Sequence, residues 1–138
     1  MQKRIVIDSG PLIALFDKDD KYHKAALEFI KNLKGELISN YAVITEVCHL
    51  LDFSVGVQVD FLRWIFEGGV TIADITAEDL SRIIKLTEKY SDLPMDFADA
   101  SLVVLCEQKK IRDIASIDRD FGIYRMQDKK TFRNVFLH

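Results

Sequence analysis

Residues 5–17 read IVIDSGPLIALFD. A β-branched run, Ile5 to Ile7, meets Asp8 directly, and a new apolar stretch begins at Leu12. A carboxylate at that junction either caps a helix, as Asp often does, or does chemistry. Four further acids stand in comparable places. Glu46, in NYAVITEVCHLL, lies three after Val43, four after Ala42 and four before Leu50, on their stripe of a helix. No Lys or Arg lies within four residues of it, so a tertiary ion pair is the bland alternative. A carboxylate on a buried stripe is costly unless something pairs with it. Asp96 and Asp99 open the helix of PMDFADASLVVLCEQ at i, i+3. Capping and the helix dipole account for Asp96, but Asp99 sits among Phe97, Ala98, Ala100 and Leu102. Asp118 closes IASID, read as the end of a strand.

Asp8, Glu46, Asp99 and Asp118 all adjoin apolar segments, and an α/β sheet could bring them to one edge. Four carboxylates cannot share a site fully ionised. Either some hold protons or a hard cation neutralises them, and Mg2+ and Mn2+ prefer such oxygen ligands. No Cys/His spacing supports zinc. Glu46-x-x-His49 is half of a di-iron helix motif with no second copy, so His49 reads as a packed or surface histidine. His23 and His138 show no partner pattern.

The elements that must position these acids follow from periodicity. Residues 3–8 read as a strand apolar on both faces, as in a parallel sheet covered by helices. Gly10-Pro11 opens a helix with Ser9 or Gly10 as cap. Helices are predicted over 20–33, 41–53, 55–67, 77–90 and 96–109, and strands over 36–39, 70–75, 111–118 and 131–137. In the helix at 77–90, Leu80, Ile83, Ile84 and Tyr90 are placed inward. Alternation of strands and helices implies a small three-layer α/β/α domain with a parallel sheet of about five strands.

The bulk properties suit such a domain. At 138 residues, 49% hydrophobic and 30% charged, the chain reads as one domain over 1–138, with no linker, repeat or low-complexity segment. No run reaches the ~18 apolar residues of a membrane span, and the start is too short for a signal peptide. Cys48 and Cys106 lie in apolar helical patterns and read as free thiols, so a cytoplasmic protein is expected.

The stretches VIDSGPLIALFD, ITEV, FADASLVVL and SIDRDF, in that order over nearly the whole chain, resemble the PIN domain, a family of metal-dependent ribonucleases. The resemblance implies a catalytic acidic quartet at Asp8, Glu46, Asp99 and Asp118. Asp8, Asp99 and Asp118 would be metal ligands, and Glu46 would ligate or hold a water. Asp96 would be an accessory acid, with Ser9 and Ser116 as polar groups beside the metal. It further implies Mg2+ or Mn2+ as cofactor, phosphodiester hydrolysis and an RNA substrate. Many small PIN proteins are VapC-type toxins, often dimeric and inhibited by a cognate antitoxin. Those toxins commonly read Asp-Ala-Ile-Ala-Ala where this chain has DASLVV.

A net charge of −3 sits awkwardly with an RNA partner. Setting aside Asp8, Glu46, Asp96, Asp99 and Asp118 leaves 17 of the 22 acids against 19 bases. The segment 119–133, with Arg119, Arg125, Lys129 and Lys130, follows Asp118 and could line the approach of a phosphate backbone. Phe61, Trp64, Ile65 and Phe66 crowd the fourth helix beyond what one apolar face needs, so a homodimer is expected. Two other readings compete. One is a catalytically inactive PIN-like module that binds nucleic acid or protein. The other is a phospho-acceptor receiver, for which VTIADI offers Asp74 but no suitable Lys strand follows.

Overall fold

The computed structural model describes residues 3–137. Five strands alternate with six helices: β1 (Lys3–Ile7), α1 (Ser9–Phe16), α2 (His23–Lys31), β2 (Gly35–Ser39), α3 (Tyr41–Leu50), α4 (Val55–Phe66), β3 (Thr71–Ile72), α5 (Asp79–Lys89), α6 (Phe97–Lys109), β4 (Asp113–Ala115) and β5 (Arg133–Asn134). The sheet runs β3-β2-β1-β4-β5 and every pairing is parallel. Helices flank it, which gives the expected three-layer α/β/α architecture.

Chain order turns back on itself at β1. From β1 the chain moves outward through β2 and β3, then returns to the opposite side of β1 as β4. The carboxyl ends of β1 and β4 therefore border the switch point, where open parallel sheets form their crevice. The strands feeding it are buried, as expected for a sheet covered on both faces: Ile5 to Ile7, Ile114 and Ala115 are all in the core.

Helix α6 is enclosed: Ala98 to Cys106 are all buried. Its near-uniform apolar sequence follows from that position. Cys106 and Cys48 are free thiols, and burial pushes the Cys106 thiol up.

Several boundaries and faces differ from the periodicity reading. Asp8 is the N-cap of α1, rather than Ser9 or Gly10, and accepts a hydrogen bond from the Ser9 N–H. Strand β4 ends at Ala115, so Asp118 lies beyond it as the cap of a 3-10 turn, Arg119–Gly122. In α3 the buried stripe is Val43, Ile44 and Val47 with Leu51 following, while Leu50 is half exposed. In α5, Ile83 and Leu86 face inward with Tyr90 after them, and Leu80 and Ile84 are exposed. The two helical slips share a cause: an apolar side chain beside the true stripe matches the spacing nearly as well.

The crowding on α4 is mostly met within the monomer. Phe61 is fully buried, and Phe16 packs on both Phe61 (ring centroids 5.4 Å apart) and Trp64 (5.5 Å). Ile65 also packs on the core, and Phe66 is 90% exposed. Asp74 follows β3, an edge strand, which removes the receiver reading, since that needs its acceptor on a central strand. Among the described residues no helix is long and apolar enough to cross a membrane.

Candidate active site

Asp8 lies where β1 becomes α1, at the switch point, and it is buried. Its Oδ1 accepts the Ser9 N–H at 2.8 Å, and its Oδ2 accepts the Ser116 hydroxyl at 2.9 Å. Ser116 follows β4 directly, so this contact closes the seam between the two central strands. The Ser116 Oγ also accepts the Asp118 N–H at 2.9 Å. One hydroxyl thus ties Asp8 to the backbone of Asp118. The Asn134 side chain holds the same turn, donating to the Ser116 carbonyl at 3.0 Å. Gly10 lets that turn approach α1: a Cβ there would stand 3.0 Å from the Ile117 Cβ.

Glu46 projects from the edge of the α3 stripe and is half-buried. It accepts a hydrogen bond from the Ser9 hydroxyl. Among the described residues no Lys, Arg or His forms an ion pair with it, so the tertiary salt bridge is absent there. Helices α3 and α6 are joined by the buried Asn40, whose Nδ2 donates to the Ser101 Oγ at 3.0 Å. That contact fixes the helix bearing Glu46 against the helix bearing Asp99.

Asp96 caps α6 and accepts the Asp99 N–H at 2.8 Å. Asp99, one turn in, is buried. The Tyr124 hydroxyl donates to its Oδ2 at 3.2 Å. The Asp99 Oδ1 has no hydrogen-bond partner among the described residues. No buried side-chain polar atom there lacks one, so this oxygen is reachable from solvent.

The electrostatics show that the acids share one field. Burial raises Asp8 to about 6, and the charges of Glu46 and Asp118 add to the rise against the lowering bonds from Ser9 and Ser116. Burial likewise raises Asp99 to about 8, with Asp8, Asp96 and Asp118 adding and the Tyr124 bond opposing. Tyr124 is itself driven up, first by burial and then by Asp99, so it stays a donor. No Lys or Arg lowers either acid.

The structure therefore brings Asp8, Ser9, Glu46, Asp96, Asp99, Ser116 and Asp118 to one edge of the sheet. The basic segment is divided. Arg119 is exposed beside Asp118. The Arg125 guanidinium is engaged by the carbonyls of Gly122, Ile123 and Tyr124 at 2.8–2.9 Å. Lys130 pairs with Asp128 and lines a cavity with Lys110 and Arg112, at the amino ends of the strands and away from the acids. Lys129 is exposed in the same turn. Sequence reasoning missed Tyr124 and Asn134. A tyrosine in RDFGIYR and an asparagine near the terminus carry no local signal; each acts through a contact across more than fifteen residues.

Residues 5–127 match the family model of the PIN domain. The chain belongs to the PIN domain family. Ribonuclease VapC26 of Mycobacterium tuberculosis is 30% identical over 117 residues, which span 83% of this chain and 87% of that protein. The crystal structure of Mycobacterium tuberculosis VapC20, a Sarcin-Ricin loop cleaving toxin, superposes with a TM-score of 0.79 over 86% of this chain and 93% of that one. At 19% identity that likeness concerns the fold.

The donor set suits a divalent cation of the hard kind. It is all oxygen, rich in carboxylates, without thiolate or imidazole, and carries repulsion that a cation would relieve. As placed, no three His, Cys, Asp or Glu side chains among the described residues converge to hold one ion. The chemistry of the PIN domain residues fits Mg2+ or Mn2+.

Proposed function

We propose that this PIN domain protein is a metal-dependent endoribonuclease of the VapC toxin type. The observation that supports this most is the pair of buried acids without a cationic partner, Asp8 and Asp99, at the switch point. Capping accounts for the hydrogen bonds of Asp8, but no positive charge stands beside either acid, and a bound cation would supply one. The likeness to Ribonuclease VapC26 supports RNA as substrate.

Asp8 and Asp99 would be the first ligands, Asp118 the third, and Glu46 either a fourth or the holder of a water. Held by these carboxylates, Mg2+ or Mn2+ would supply Lewis acidity towards a phosphodiester and a water. The chain's own residues do the rest. Ser116 orients Asp8 through Oδ2 and so leaves its remaining lone pairs aimed by a fixed geometry. Ser9 links Asp8 and Glu46, donating its N–H to Asp8 and its hydroxyl to Glu46. Asp99 holds a proton near neutral pH and must release it before ligating, so cation affinity should rise with pH. Arg119 beside Asp118 would meet a phosphate of the substrate.

We propose RNA, a cognate antitoxin and a second copy of the chain as partners. Leu50, Phe53, Val55, Val59, Leu62 and Phe66 are exposed on and around α4 and supply the apolar surface for the dimer. A dimer mass in light scattering at micromolar concentration is expected; a monomer mass removes the dimer. The nuclease is tested by RNA cleavage in Mn2+ against EDTA. Cleavage that needs the cation and is lost in Asp99→Asn supports it. A well-folded protein that binds RNA but never cleaves is instead the inactive PIN-like module.

A further inference from the structure

At the other end of the same sheet lies a second charged feature. In a parallel sheet the residues that begin the strands gather at one edge; those at β1, β4 and β5 are rich in bases, while β2 begins with Gly35 and Glu36. Lys3 and Arg4 start β1, Lys110 and Arg112 precede β4, and Arg133 starts β5. Together they line a cavity of about 380 Å³. The one acid in its wall, Asp113, is held by Arg133 through a bidentate pair at 2.6 and 2.8 Å.

Three guanidinium groups there are pinned by the protein. Arg133 is held by Asp113; Arg4 donates to the Lys109 carbonyl at 2.9 Å; Arg112 donates to the Thr131 carbonyl at 2.9 Å and to its hydroxyl at 3.2 Å. Planar forks fixed in this way lose little freedom on meeting a phosphate. Lys3 and Lys110 form no ion pair among the described residues. Lys110 is unusual in its backbone as well. It closes α6 with φ 57° and ψ 47°, the left-handed conformation that glycine adopts at helix ends without strain. A lysine there carries a conformational cost while placing its side chain at the cavity.

The feature is longer than one anion. A neighbouring cavity of about 590 Å³ shares Lys110 and Arg112 and continues to Gln127 and Lys130. Its two acids are already engaged, Glu107 by Arg82 at 2.8 Å and Asp128 by Lys130 at 3.6 Å. No aromatic side chain lines either cavity, so bases have nothing to stack on. What remains is a track of cations suited to successive phosphates.

We propose that this amino edge, around Lys3, Lys110 and Arg112, is a second RNA-binding surface that holds the phosphate backbone without reading sequence. The proposal rests on the ribonuclease reading for the identity of the strand as RNA. It adds that a structured RNA engages both edges of the sheet, one for cleavage and one for grip.

The test uses the double variant Lys3→Gln/Lys110→Gly. Glycine at 110 relieves the left-handed backbone, so the variant should melt no lower than wild type. Affinity for a fluorescent RNA hairpin is measured in EDTA across a salt series. Removing two phosphate contacts should weaken binding by roughly tenfold or more near 0.1 M salt and flatten the log–log salt slope by about 1.4 to 1.8, the single-strand and duplex limits. In Mn2+, the KM for the hairpin should rise in parallel. Cleavage of a dinucleotide should be unchanged, because its single phosphodiester cannot touch both ends of a strand roughly 16 Å long.

Wild-type affinity and slope in the variant would overturn the proposal. So would a variant that loses inorganic phosphate but keeps RNA, which marks a small-anion site. Polyglutamate bound as tightly as RNA, with the same sensitivity to the variant, would assign the edge to an acidic protein instead and also overturn it. A wild type that binds RNA with this sensitivity yet cleaves nothing in Mn2+ would sink the nuclease reading and leave the RNA surface standing.

Discussion

The two edges of the sheet carry opposite charge under opposite conditions. At the carboxyl edge Asp8 and Asp99 are buried, surrounded by other acids and held by neutral donors from Ser9, Ser116 and Tyr124. At the amino edge Lys3, Arg4, Lys110, Arg112 and Arg133 are exposed, and backbone carbonyls or Asp113 fix the guanidinium groups. Solvent screens the cations, so the amino edge costs the fold little. Burial keeps most solvent from Asp8 and Asp99, so the carboxyl edge stores a penalty that a bound cation would relieve. A parallel sheet makes the sorting possible by aligning all strand starts on one side. The net charge of −3 conceals both features.

The largest test of this contrast removes one buried acid. Asp99→Asn should cut RNA cleavage in Mn2+ by ~100-fold or more, as should Asp8→Asn and Glu46→Gln. In EDTA at pH 8 the Asn variants should be at least as stable as wild type, because a like charge has gone. Denaturant melts beside cleavage assays check both arms. An Asp99→Asn protein that unfolds readily yet cleaves normally would show a structural acid and break the contrast.

The next effect is pH dependence in the absence of metal. Asp8 and Asp99 have folded values of about 6 and about 8, above the ordinary 3.8. An acid raised on folding is ionised less readily in the native state. Its full stability is therefore present below about pH 4 and is lost as pH climbs through 6 and then 8. Wild type in EDTA should lose several kcal/mol, on the order of 5, between pH 5 and pH 8.5, with most of the loss from Asp99. Mn2+ should restore the midpoint at the upper pH, because it binds only the folded chain. A flat profile in EDTA, with no response to millimolar Mn2+, would remove the carboxyl edge as a cation site.

A smaller change sharpens the reading of the acid edge. Tyr124→Phe removes the hydroxyl that steadies ionised Asp99, at about 1 kcal/mol. Asp99 should then titrate higher, moving the upper step of the stability profile to higher pH while the lower step stays. Equal displacement of both steps would mean that Tyr124 acts on packing alone. The smallest effect belongs to the basic edge. Lys110→Gly should raise stability by ~0.5–1 kcal/mol, the relief of one left-handed non-glycine residue. A loss of stability would show that the Lys110 side chain supports the fold.

Much of the carboxyl edge could be read from residue types alone. An acid after a β-branched run marks Asp8 at a strand end, and Glu46 and Asp99 announce themselves as carboxylates among apolar neighbours. The alternation of elements specifies a parallel α/β/α sheet. Such signals are local: they depend on periods of two and 3.6 residues and on which groups are costly to bury. Local signals place a boundary only to within a few residues, which is why the pattern carries a strand to Asp118 that stops at Ala115.

Tertiary structure alone decided the rest. That Ser116 bridges Asp8 to the Asp118 backbone depends on β4 pairing with β1 across more than a hundred residues. That Tyr124 reaches Asp99, and that Asn134 braces the Ser116 turn, depends on how the 3-10 turn and β5 fold back. The basic segment divides between the two edges because the chain crosses the sheet between Arg119 and Lys130. Strand order, not composition, gathers Lys3, Lys110 and Arg133 at one end, since nothing in a one-dimensional pattern states which strand starts will be neighbours.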